Sequence, residues 1–191
     1  MGATNKNKGD MEEKTKSYDS IKEMFEAGQA MQRFQTIHNV IRVDYLELLN
    51  IAEANIEVQE SFNALYRACI RSLFSLMEAD IYNLNVLDSY DDFDDYDKFI
   101  NKLKKTYKQI AATWGKETIQ QKYFSSKMKD LLTLKKLRDQ LVHPKEISHI
   151  HVATTESFNM VKKVFKDYDD FVNEMMTNFF ISVKIPVNWN R

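Results

Sequence analysis

Glycine and proline are scarce in this chain: four glycines and two prolines in 191 residues. Between Gly28 and Gly115 neither occurs. That leaves long stretches with nothing to break a helix, and argues against a sheet-rich fold punctuated by tight turns. Cysteine occurs once, as Cys69, which excludes an intramolecular disulfide. Its apolar surroundings in residues 67–77 predict a buried, inert thiol. No apolar run approaches the roughly 20 residues needed to cross a bilayer. Residues 1–16 are rich in Asn, Lys, Gly and Glu and lack an apolar segment, so they read as a floppy tail and not a signal peptide, with the cytoplasm as the expected compartment. The expected division is a flexible N-terminal tail over 1–17 and a single helical domain over 18–191. Gly-rich phosphate loops, nucleophile elbows and Cys–His nucleophile arrangements are missing.

What is present is globular. Hydrophobic residues make up 43% of the chain and aromatics 12%, enough for a core and too much for a disordered polymer. The net charge of −1 hides a strong asymmetry. Residues 78–97 carry eight acids and no Lys or Arg, whereas residues 98–145 carry thirteen bases against three acids. Such blocks either fold onto each other or leave one free for a polyanion.

Apolar periodicity predicts an all-α, up-down bundle of about five helices. The first covers about 20–54, with Met31, Phe34, Ile37, Ile41, Tyr45, Leu48 and Leu49 on one stripe; Gly28 is expected to break off a short leading turn. The second, about 59–85, has the broadest apolar face, from Phe62 to Leu84, as a central helix would. The third covers about 96–114 and stops at Gly115, a C-cap residue. The fourth runs from about 117 to 141, and Pro144 forces its end near His143. The last covers about 154–181, capped by Thr154 or Thr155. Residues 182–191, with Pro186, read as a docked extended segment.

The stretch Leu134–Lys135–Lys136–Leu137–Arg138–Asp139–Gln140–Leu141–Val142–His143–Pro144 stands out. On a continuing helix Arg138 and His143 would lie about 140° apart; a helix ending before Pro144 lets His143 turn back. From the residues alone, two readings stay open. One is a surface Arg with a His satisfying the last helix carbonyls. The other is a pair that handles phosphate and proton, because Arg offers a planar fork and His titrates near neutrality. On the second helix, Arg67, Arg71 and Glu78 fall within about 40° of one line. That line either faces solvent, with Arg71 and Glu78 loosely paired, or walls a polar cleft near the motif. His143, His149, His151 and Glu146 match no familiar metal spacing, and the aspartates of 88–97 lack the glycine and terminal Glu of an EF-hand; neither a metal nor a cofactor is expected.

The order Arg138, Asp139, three residues, His143 at a late helix end resembles the signature of the HEPN superfamily, and the resemblance spans about 59–181. It implies a HEPN-like bundle and a metal-independent endoribonuclease of a toxin–antitoxin or anti-phage system. In that scheme His143 takes the 2′-hydroxyl proton and Arg138 steadies the phosphate. Asp139, Glu78 and Arg71 are supporting residues, and Lys135, Lys136 and Lys145 contact RNA. The implied partners are RNA, a second copy forming a composite site, and an antitoxin or nucleotidyltransferase. Some toxin-type members carry a Tyr two positions after the His; Lys145 stands there, which departs from control by that route. The alternative is a non-catalytic helical module of the same fold that binds nucleotide or protein.

Overall fold

The computed structural model describes residues 16–177 and 181–183. The chain is an all-α helical bundle of six α-helices among the described residues, with one two-stranded β contact. Strand β1 (Lys16–Tyr18) leads into α1 (Ile21–Ala54), α2 (Gln59–Leu87), α3 (Phe99–Trp114), α4 (Glu117–Ser126), α5 (Met128–Val142), a single 3₁₀ turn (Ile147–His149) and α6 (Thr155–Met176), followed by β2 (Ile181–Val183).

α2 is the central helix, as its wide apolar face requires. It packs against α1, α3, α5 and α6, and Phe62, Tyr66, Ile70, Leu73, Phe74 and Met77 on it are all buried. Each such side chain contributes about 1.5–3 kcal/mol of transfer free energy. Cys69 is fully buried, and burial pushes its thiol up to about 12, so it stays protonated and unreactive.

Local chemistry sets several helix ends as expected. Ser20 Oγ accepts the Glu23 N–H at 3.2 Å to start α1. Gly115 closes α3 in the left-handed region at φ 66°. At α6, Thr154 Oγ1 accepts the Ser157 N–H at 3.1 Å and Ser157 Oγ accepts the Thr154 N–H at 2.9 Å, a reciprocal capping box.

Other expectations are corrected. α1 runs unbroken through Gly28, where an added Cβ would meet nothing within 4 Å. The loss of about 1 kcal/mol relative to Ala is outweighed by the buried Ala27, Met31 and Phe34 around it. The single fourth helix is two, α4 and α5, interrupted at Lys127. The Ser125 and Ser126 hydroxyls both donate to the Lys122 carbonyl and compete with the helix ladder there. α3 starts at Phe99 and not near Tyr96, because the Asp94 and Asp97 carboxylates accept the backbone N–H groups of Tyr96 and Lys98 and hold a turn. α6 stops at Met176 and not at Ile181; Thr177 turns extended, its carbonyl accepting from Lys116 Nζ at 2.7 Å. Lys16 and Ser17, expected in the tail, lie in β1, parallel to β2 in the register Lys16↔Ile181 and Tyr18↔Val183. The rest of the expected tail, residues 1–15, and the segment holding Pro186 lie outside the described residues. No helix among the described residues is long and apolar enough to cross a membrane.

Candidate functional site

α5 ends where its sequence says it must. His143 leaves helical geometry at φ −127° and ψ 65°, its N–H still donating to the Asp139 carbonyl at 3.1 Å, with Pro144 next. The imidazole is exposed and has no hydrogen bond or ion pair among the described residues.

Arg138 is placed differently. It is half-buried, with its guanidinium carbon 5.8 Å from the centroid of the Phe74 ring on α2. Nη2 donates to Glu78 Oε1 at 2.8 Å, and Nη1 donates to Asp139 Oδ1 at 3.4 Å. Asp139 is also paired with Lys135, one turn earlier. Arg138, Asp139, Lys135 and Glu78 thus form one charged group on the α2–α5 seam.

The other expected residues stand outside that group. Glu78 pairs with Arg138 and not with Arg71, which is exposed two turns earlier on α2. Lys136 is exposed on α5. Lys145 is exposed beyond it, its backbone N–H donating to His149 Nδ1 at 3.1 Å. His151 Nε2 is 2.8 Å from Gln140 Oε1, so both later histidines shape the loop after α5. Among the described residues no group of three His, Cys, Asp or Glu side chains is placed to hold a metal ion.

The two charge blocks partly neutralise each other. Lys105 pairs with Asp97, and that bond lowers the Asp97 carboxyl and raises the Lys105 ammonium. Arg138 pairs with Glu78 across the same two blocks, while α6 supplies further partners outside them: Lys127 pairs with Asp167, and Lys163 with Asp130. Lys104, Lys108, Lys122, Lys129 and Lys136 remain exposed on α3, α4 and α5.

One polar constellation escaped the sequence reading. His38 on α1, Asp80 on α2, Tyr107 on α3 and Tyr168 on α6 meet in the core. His38 Nδ1 lies 3.0 Å from both Asp80 oxygens. Tyr168 Oη donates to Asp80 Oδ2 at 2.7 Å, so its 2.9 Å contact with Tyr107 is one that Tyr107 donates. Burial raises the Asp80 carboxyl, against the lowering effect of His38 and Tyr168. Beside it, Arg42 Nη2 donates to Asp169 Oδ2 at 2.8 Å and its Nε to Oδ1 at 2.5 Å, a two-point contact that raises the guanidinium further. His38 Nε2 is buried without a partner among the described residues. The signal was available: His38 is four residues from Phe34 on the apolar stripe of α1, and Asp80 lies between Met77 and Ile81 on the apolar face of α2. Comparison with models of known protein families, with curated proteins and with solved structures finds no match for this chain.

Proposed function

We propose that the chain is a metal-independent endoribonuclease of HEPN type, with Arg138 and His143 as its catalytic residues. The observation that carries this reading is the seating of Arg138: a guanidinium held over Phe74 on the α2–α5 seam, five residues before an unengaged His143 at the helix end. The guanidinium would stabilise charge developing on a phosphate, and the imidazole would accept the 2′-hydroxyl proton and return a proton to the leaving oxygen. The exposed lysines of α3, α4 and α5 supply sites for flanking phosphates.

A second copy is the partner this reading expects at the surface beyond the motif. Val142, Ile147, Ile150 and Val152, in the stretch that carries and follows His143, are all exposed, Ile147 at 90%, and clustered exposed apolar side chains mark partner faces. A two-fold pairing there would bring two motifs into one cleft. An antitoxin is the corresponding regulatory partner, a nucleotidyltransferase fitting less well because Lys145 stands where the Tyr it modifies would be, and the cytoplasm is the corresponding compartment. A second reading, a non-catalytic module binding nucleotide or protein, is favoured by one observation: Arg138 is already neutralised by Glu78 and Asp139.

The test is cleavage of labelled single-stranded RNA in EDTA by wild type, His143→Ala and Arg138→Ala. The expected result is cleavage by wild type, reduced roughly 100-fold or more by each substitution. Equal cleavage by all three places the activity elsewhere. No cleavage by a folded wild type hands the case to the binding module.

A further inference from the structure

Arg138 has one fork, and an acid of this same chain already occupies part of it. Glu78, sixty residues away in sequence, puts Oε1 2.8 Å from Arg138 Nη2. A carboxylate oxygen and a phosphate oxygen are the same kind of acceptor for a guanidinium. The edge given to Glu78 is therefore one that a phosphate would need.

The pair sits where it can exchange. The Arg138 side chain is 27% exposed and that of Glu78 44%, so water screens the contact and holds it weakly. Phe74 supports the guanidinium independently of Glu78. The other acid within reach, Asp139, is farther at 3.4 Å and is shared with Lys135. Glu78 also borders a cleft of about 170 Å³ whose walls include Tyr82, Phe93, Asp95 and Lys102, where Lys102 Nζ donates to the Asp95 backbone carbonyl at 2.9 Å. A displaced carboxylate has space there, and the Lys102 ammonium, with three donors and one given to the Asp95 carbonyl, can face it and offset the like charge of the Asp95 side chain.

We infer that Glu78 is an internal stand-in for phosphate: it fills the anion seat of Arg138 in the free protein and swings towards the Lys102 cleft when a polyanion binds. That the polyanion is RNA rests on the ribonuclease reading; the seat and its occupant do not. Glu78 on this account sets the threshold for binding and is not a catalytic residue.

The experiment measures binding of two probes to the full chain, a labelled single-stranded RNA and inorganic pyrophosphate. The proteins are wild type, Glu78→Gln, Glu78→Ala, Arg138→Ala and the double variant Glu78→Gln/Arg138→Ala, each checked for helix content by circular dichroism. Both Glu78 substitutions are expected to tighten binding roughly fivefold, and the gain is expected to vanish in the Arg138→Ala background. An Arg138-dependent gain with either probe supports the seat; if only pyrophosphate shows it and RNA never binds, the RNA reading falls and the seat stands. Unchanged or weaker binding of both probes overturns the seat, and weaker binding would make Glu78 a positioning residue. A gain that persists without Arg138 also overturns it, because it would reflect only the removal of a negative charge.

Discussion

Glu78 and Asp80 are both acids on α2, two residues apart, and they lead opposite lives. On a helix that spacing is a rotation of about 200°. Glu78 therefore meets Arg138 at the water boundary, while Asp80 meets His38 and Tyr168 in the core. The exposed pair is worth little, because water and salt screen it. The buried one is satisfied on several sides and ties four helices together, so its partners are fixed. Chemistry that must admit a substrate belongs to the first environment, and architecture to the second.

The largest expected effect is on the buried side. Asp80→Ala leaves the His38 ring and the Tyr168 hydroxyl without their acceptor and should cost about 3–5 kcal/mol of stability, whereas Glu78→Ala should cost less than about 1 kcal/mol. Chemical denaturation of both variants measures this, and similar losses would break the comparison.

A smaller effect separates the two by pH. The Asp80 carboxyl is raised above its ordinary 3.8 in the fold, chiefly by burial, so the folded state holds that proton to higher pH than the unfolded chain does. This contribution to stability falls as pH climbs from about 4 through the raised value, then levels off. Asp80→Asn removes the titration. Measured against wild type, its relative stability should improve as pH rises from about 4. A flat difference would mean the carboxyl titrates alike in both states.

The smallest effect sets the scale. Gly28 faces open space on α1, so Gly28→Ala should stabilise by about 0.5–1 kcal/mol without touching either acid pair. A loss of stability would show a strain on α1 that the comparison omits.

Features governed by neighbours in sequence were legible in advance. Gly115, Thr154, Pro144 and the apolar face of α2 act within a turn or two, and each set the element expected of it. What was hidden depends on distance or on small differences. Glu78 was singled out, but its partner lies sixty residues on, and no spacing on α2 could reveal it. The break at Lys127 turns on two serine hydroxyls choosing a carbonyl. The pairing of β1 with β2 joins two three-residue strands from opposite ends of the described chain, too short to carry a pattern. His38 and Asp80 differ from these, because a polar residue on each of two apolar stripes was visible and only their meeting was not.

The most direct test of the catalytic reading is the chemistry of the product ends. RNA incubated with the wild-type chain in EDTA should yield fragments ending in a 2′,3′-cyclic phosphate by mass spectrometry, and a single 2′-deoxynucleotide at the cleaved position should abolish the cut, because the attacking oxygen is gone. Fragments with 5′-phosphate and 3′-hydroxyl ends, or cleavage at the deoxy position, would contradict a 2′-hydroxyl mechanism at Arg138 and His143.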